Sequence, residues 1–143
     1  MDLDECFRKG LIKRTKISKE LIQSLLEMSD IKEKTVRAAA INEFNVSAFV
    51  SLAYDALREV LEALCVFKGY KVLSHICIGE LLKKSLEDFD YNTFDRLRYV
   101  RNSINYYGIK VELPQGKELI SKIFAMKENL IERYLKDFLN APS

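Results

Sequence analysis

The chain has few of the residues that most often carry catalytic or metal-binding chemistry. Its 143 residues include one histidine, and its three cysteines, Cys6, Cys65 and Cys77, show no CxxC spacing. A structural zinc site needs four ligands, usually in paired spacing, so we exclude one. No phosphate-binding glycine loop or HExxH sequence occurs, and one histidine gives little basis for a catalytic triad. We therefore expect reduced, buried thiols in a cytoplasmic protein, with no metal and no cofactor.

Helix breakers and long apolar runs are also scarce. Two prolines and five glycines leave room for long helices, and the β-branched residues do not gather into the alternating runs typical of strands. No apolar run approaches the ~18 residues of a membrane span. The first residues, MDLDECFRKG, are charged and lack an apolar core, so we expect no signal peptide. The length predicts a single domain, residues 1–143.

Neither sign of charge dominates the chain. The formal net charge of +2 is too mild to indicate a nucleic-acid-binding protein by itself. One local exception is the segment Phe7–Lys19, which holds six lysines and arginines and no acid. Such a segment is usually a solvated, partly mobile terminus, and less often it neutralises phosphates.

Apolar periodicity predicts an all-α fold, an antiparallel up-and-down bundle of four to five helices. Ser18 and Asn45 stand where N-caps of the first two long helices are expected, and Gly69 and Gly108 where helices should stop. A short helix begins near Ser74 and is followed by a longer one that ends at Tyr107. A brief extended segment then leads to Pro114, at the start of the last helix.

The helix that ends at Tyr107 contains the least ordinary stretch, RLRYVRNSINYYG, at residues 96–108. Its apolar residues share one face at helical spacing, while Arg98, Arg101 and Asn105 form a narrow stripe along the edge of that face. Arg101 lies between Leu97 and Ile104, so its guanidinium needs a partner. The partner is either a carboxylate of the bundle or an anion from outside the chain.

This stretch resembles the signature helix of the HEPN superfamily, named for its occurrence in higher eukaryotes and prokaryotes. The pair Arg101-Asn102 matches the arginine and polar residue of the family motif. Residues 54–84, YDALREVLEALCVFKGYKVLSHICIGELLKK, resemble the family's long helix, its glycine break and a serine-histidine helix start. The resemblance implies a small helical bundle that forms homodimers, in which two motif copies meet in a composite cleft.

The motif departs from the family where a histidine is expected, because Tyr106 occupies the most similar position. A tyrosine with its usual pKa near 10 exchanges protons poorly at neutral pH, so we expect no efficient RNA cleavage. The catalytic candidates are Arg101, Asn102 and Tyr106, and with Arg98 and Asn105 they are the candidates for binding RNA, a nucleotide or a partner. The lone His75 is more simply a structural residue at a helix start than a catalytic one.

Three functions remain open at this point. The first is a homodimeric protein that binds RNA, a nucleotide or a small nucleotidyltransferase, in a role like that of toxin–antitoxin pairs, without efficient cleavage. The second is a metal-independent ribonuclease toxin with a non-standard site, and the third is a helical interaction module with no nucleic-acid role. We expect the dimer seam around Leu97 and Ile104, beside the tyrosines of the same helix.

One acidic cluster has two interpretations. It consists of Glu87, Asp88 and Asp90. We favour a solvated turn that ends one helix and begins the next. The alternative is a site for a divalent cation, which would need further converging ligands from elsewhere in the chain.

Overall fold

The computed structural model describes residues 1–142, and most of them are helical. Residues 1–142 form seven α-helices, one π-helical turn and two three-residue strands. In chain order they are α1 (Leu3–Arg8), β1 (Ile12–Arg14), α2 (Lys19–Ala38), α3 (Val46–Phe67), β2 (Tyr70–Val72), α4 (His75–Ser85), α5 (Tyr91–Tyr107), α6 (Leu113–Leu130), the π-helical turn (Ile131–Leu135) and α7 (Lys136–Asn140).

Helix α3 lies at the centre of the bundle, because thirteen of its 22 residues are buried. Helices α2, α5 and α6 all pack against it. Two contacts with α3 illustrate this packing. The Ser29 hydroxyl in the middle of α2 donates to the carbonyl of Ala56 across a helix hairpin. The ring of Phe67 at the end of α3 packs at a tilt of 59° against that of Phe138, beyond the end of α6, with the ring centres 5.1 Å apart. The predicted helical bundle is therefore confirmed.

The predicted helix ends are mostly confirmed. The Ser18 hydroxyl accepts a hydrogen bond from the amide of Leu21 at 3.1 Å, as an N-cap should. Gly108 ends α5 with φ of 64°, a left-handed conformation that glycine adopts at low cost. The prediction for Asn45 is wrong in detail. Asn45 occupies the N-cap position of α3, but its side chain binds the preceding turn, at the amide of Asn42 and the carbonyl of Ala40.

Two expectations about the N-terminal region are wrong. The basic segment Phe7–Lys19 is not a loose terminus, because β1 within it pairs antiparallel with β2, with Lys13 opposite Lys71. Cys6 and Cys77 are not free thiols, since a disulfide joins them across 71 residues of chain with their Cα atoms 5.8 Å apart. Both residues are fully buried, and Cys65 is the remaining free cysteine, also buried. Together the ribbon and the disulfide attach the N-terminal segment to the start of α4.

The acidic turn before α5 has a structural role. The Asp90 carboxylate caps α5 by accepting from the amide of Thr93 at 3.1 Å, and Asp88 pairs with Arg133 at 3.0 Å. Within residues 1–142, no group of three or more acidic, histidine or cysteine side chains is placed to hold a metal ion. Across the same residues, no helix is both long enough and apolar enough to cross a membrane.

Candidate functional site

The polar edge of α5 faces a cleft of about 450 Å³ that also receives side chains from α3 and from the start of α4. Of the residues predicted from the sequence, four line it: Arg98, Arg101, Asn102 and Tyr106. The other lining residues are Arg58, Leu73, Ser74, His75 and Ile76. Among residues 1–142, none of those lining the cleft is acidic. We refer to this surface as the arginine cleft.

His75 faces Arg58 in the arginine cleft, with its Nε2 atom 3.5 Å from the guanidinium Nη1. Its ring also lies 6.0 Å from that of Tyr54 on α3. Burial, together with the nearby positive charges of Arg58 and Arg101, lowers the pKa of His75 to about 4. The imidazole is therefore uncharged at neutral pH, so its nitrogens can accept or donate a hydrogen bond without adding positive charge.

Local structure on both sides of His75 fixes its position. The preceding β2 strand pairs with β1, and the amide of Leu73 donates to the carbonyl of Leu11 at 2.8 Å. His75 is the first residue of α4, and the disulfide of Cys77 anchors the same helical turn. The two attachments hold the imidazole against α3. His75, which the sequence places in a different helix from the candidate residues, therefore lines the cleft with them.

The arginines of α5 have different partners. Arg98 is held by Asp95, three residues earlier on the same helix, at 2.8 Å. Arg101 reaches across to Asp55 on α3, but at 3.5 Å this ion pair is long. The Arg101 guanidinium also lies 5.7 Å from the centre of the Tyr54 ring, within cation–π range. Only 14% of the Arg101 side chain is exposed, so the residue is partly structural and partly available to a ligand.

Three buried polar atoms beside the cleft have no hydrogen-bond partner within residues 1–142. They are the Tyr54 hydroxyl, the Arg58 Nε and the Arg101 Nε. Burial raises the pKa of Tyr54 well above its usual value, so its hydroxyl stays protonated and can donate. Buried donors without acceptors cost free energy, which an oxygen-rich ligand bound in the cleft would recover.

Two further predictions for α5 have different outcomes. Asn105 lies outside the cleft lining, and its side-chain oxygen accepts a hydrogen bond from the Ser51 hydroxyl at 3.1 Å. Leu97 is ruled out of the dimer seam expected around Leu97 and Ile104, because it is 3% exposed and belongs to the core of its own chain, and Ile104 is half-buried against that core. The exposed apolar side chains of α5 are instead Tyr99, Tyr106 and Tyr107.

Sequence reasoning missed Arg58 and Tyr54, although a signal for them was present. Asp55, Arg58 and Glu62 are spaced three and four residues apart in the most apolar helix of the chain, so they share one face. Charged residues on one face of a buried helix indicate a polar surface that another element must meet. Here that element is α5, through the ion pair of Asp55 with Arg101.

The arrangement combines three guanidinium groups, one amide and one uncharged imidazole around a space large enough for a nucleotide-sized group. Guanidinium groups bind phosphate and carboxylate oxygens through paired donors. Comparisons with protein families, with curated protein sequences and with solved structures find no match to this chain.

Proposed function

We propose that this chain is a HEPN-like protein that binds RNA or a nucleotide through the phosphate, in the arginine cleft. One observation carries the proposal: Arg58, Arg98 and Arg101 come from two helices to a cleft whose lining contains no acid and includes an uncharged His75. A phosphate there would meet several donors, while the carboxylates that pair with these arginines lie outside the lining. It would also supply an acceptor to the Arg101 Nε, which has no hydrogen-bond partner, and to the Arg58 Nε, whose ion pair with Glu62 is long at 3.7 Å.

The rim of the cleft suits a nucleotide better than a bare anion. Tyr106 lines the cleft and is 71% exposed, so its ring is free to stack on a base. Asn102, one residue from Arg101, offers both a donor and an acceptor to a base edge or a ribose hydroxyl. Fixed charge and stacking would give affinity for single-stranded RNA with little dependence on sequence.

The test is fluorescence anisotropy with a labelled single-stranded RNA at low ionic strength. We expect saturable binding that weakens as salt rises, because bound phosphates release counterions. Arg101→Ala should weaken binding by roughly one to two orders of magnitude, the effect of losing a charge-assisted contact worth ~1.5–3 kcal/mol. Arg96→Ala is the matched control, since Arg96 is on the same helix but does not line the cleft.

A lack of saturable RNA binding would contradict the proposal and favour a helical interaction module with no nucleic-acid role. Equal losses in Arg101→Ala and Arg96→Ala would also contradict it, because the effect would then follow from net charge. Binding measured with a mononucleotide in place of RNA distinguishes a nucleotide site from one that needs several phosphates.

A second candidate function, a metal-independent ribonuclease, is favoured by the position of His75. An uncharged imidazole beside arginines is suited to accept the proton of a ribose 2′-hydroxyl while guanidiniums stabilise charge on the phosphate. A pKa of about 4 makes this imidazole a weak base, so we rank binding without efficient cleavage first. RNA decay without metal that is abolished in both His75→Ala and Arg101→Ala would reverse this ranking.

The proposal includes a homodimer, formed through the exposed tyrosines Tyr99 and Tyr107, which do not line the arginine cleft, and not around Leu97. Aromatic side chains are enriched in protein interfaces, and two copies of α5 would bring two arginine clefts together. The resemblance to HEPN proteins also makes a small nucleotidyltransferase a candidate partner.

A cytoplasmic location stays part of the proposal. The Cys6–Cys77 disulfide is the observation against it, because such bonds are rare in reducing compartments.

A further inference from the structure

A second cavity lies between α5 and α6, apart from the arginine cleft. These consecutive long helices do not pack closely against each other, and the space between them forms a groove of about 430 Å³. Core residues Leu97 and Leu130 form part of its floor, and the flexible side chain of Met126 lies beside them. We refer to this cavity as the α5–α6 groove. Its volume is within the range of small-molecule sites, and its lining is mostly apolar.

One end of the α5–α6 groove is built from two unusual backbone segments. Asp88 has φ of 59°, the one non-glycine residue with a positive φ within residues 1–142. Across from it, the helix changes to π-helical geometry at residues 131–135. Two side-chain contacts hold these segments together: Arg133 pairs with Asp88 at 3.0 Å, and the Tyr134 hydroxyl donates to the carbonyl of Glu87. Costly backbone conformations held in place by such contacts are common at ligand sites.

The charges at the groove are divided between engaged acids and available cations. The Asp88 carboxylate is paired with Arg133, and the Asp90 carboxylate accepts hydrogen bonds from the amide and hydroxyl of Thr93. Arg96, by contrast, is exposed and forms no ion pair within residues 1–142. Lys122 on the facing helix has only an exposed partner, Glu118, four residues earlier at 3.4 Å. Of the charged residues that line the groove, Arg96 alone has no partner within residues 1–142, and the ion pair of Lys122 is longer than that of Asp88.

We propose that the α5–α6 groove binds a small amphipathic anion. Its apolar body lies against Leu97, Met126 and Leu130, and its acidic headgroup is held between Arg96 and Lys122. This site is separate from the arginine cleft, since Leu97 belongs to the core while Arg101 and Asn102 face the cleft. It does not depend on the proposed binding of RNA.

The test uses the fluorescent probe anilinonaphthalene sulfonate, which has an aromatic body and an anionic headgroup, with dodecanoate as competitor. We expect saturable fluorescence enhancement that dodecanoate reverses and that neutral dodecanol reverses much less effectively. Ala125→Phe fills the groove from an exposed position and should abolish saturable binding. Arg96→Gln should weaken binding about tenfold or more, because a charge-assisted contact is lost.

Two control variants make the result specific. Lys110→Gln removes an exposed positive charge beyond the far end of α5 and should leave the affinity within about twofold of the unchanged chain. Arg101→Ala alters the arginine cleft and should have equally little effect. Circular dichroism and melting curves establish that each variant is folded. Absence of saturable binding, equal affinity in all variants, or equal competition by dodecanol and dodecanoate would each overturn the proposal.

Discussion

His75 Nε2 lies 3.5 Å from Arg58 Nη1, although the two residues come from different helices and are separated by a turn and a strand. Neither residue has a neighbour in sequence that suggests this approach. The contact places the only histidine of the chain in the cleft that Arg101 also lines. The chemistry proposed for the cleft depends on this meeting.

His75 should titrate at unusually low pH. Burial, followed by the charges of Arg58 and Arg101, lowers its pKa from 6.5 to about 4. Because the chain has one histidine, its ring protons give one set of NMR signals to follow. Arg58→Gln should raise the midpoint toward 6.5, since a neighbouring positive charge is removed. A midpoint near 6.5 in the unchanged chain would show that His75 is solvated and outside the cleft.

The same shift makes stability depend on pH. Between pH 6.5 and about 4 the unfolded chain binds a proton at this position that the folded chain does not. The contribution of His75 is therefore fully present above about pH 6.5 and falls as the pH drops toward 4. Urea unfolding at both ends of this range should show a smaller loss for His75→Gln than for the unchanged chain. Equal losses in the two proteins would contradict the lowered pKa.

Arg101→Ala should cost moderate stability, about 1–2 kcal/mol. Its partner Asp55 is 25% exposed and 3.5 Å away, so the pair lies between a surface ion pair and a fully buried one. Removing Arg101 also removes its contact with the Tyr54 ring. Denaturant unfolding measures this cost, and Arg96→Ala should stay within about 0.5 kcal/mol of the unchanged chain. A loss of ~3–5 kcal/mol, without any loss of RNA affinity, would mean that Arg101 is purely structural.

The cysteine pairing predicts a count of reactive thiols. Alkylation in denaturant without reductant should modify Cys65 alone, and prior reduction should allow all three cysteines to react. Cys6→Ser should lower the free energy of unfolding by about 2–5 kcal/mol, because the disulfide closes a long loop. Cys65→Ser is the matched control. Mass spectrometry after alkylation should find no modified cysteine in this variant until the disulfide is reduced. Three reactive thiols before reduction would show that the cysteines are free, as expected for a reducing compartment.

A homodimer should form through the exposed tyrosines of α5. Light scattering at micromolar concentration should give about twice the chain mass of 16.6 kDa. Replacing Tyr99 and Tyr107 together with serine should give the monomer mass, because both rings are exposed and make no core contact. Phe44→Ser is the control. Phe44 precedes α3 and is 96% exposed, and its replacement should leave the mass unchanged. A mass equal to that of one chain throughout the concentration range would contradict the proposed dimer.

Long-range periodicity made the helices predictable, whereas the approach of His75 was not. The apolar stripe of α3 extends over six turns, and Ser18 and Gly108 are strong boundary signals. The strands β1 and β2 are three residues each, too short for an alternating pattern to stand out. The ribbon of β1 and β2 nevertheless places the start of α4 beside Arg58.

The disulfide and the arginine cleft could not be predicted either, because both depend on how separate elements of the chain pack together. Three cysteines allow three different pairings, and spacing does not choose among them. The stripe of Arg98 and Arg101 on α5 was visible in the sequence, but whether each meets an acid or a cleft depends on α3. Tyr107 stands at helical spacing from Val100 and Ile104, which predicts a place on the apolar face of α5, but the structure leaves it 79% exposed near the end of that helix.

The proposed binding of RNA phosphate beside His75 is tested most directly by the NMR signals of that histidine during titration with single-stranded RNA. We predict a saturable chemical-shift change and a raised pKa, because bound phosphate brings negative charge toward the imidazole. Arg101→Ala should require a higher RNA concentration for the same change. RNA binding that leaves the His75 signals and pKa unaltered would place the nucleic acid elsewhere and contradict the account.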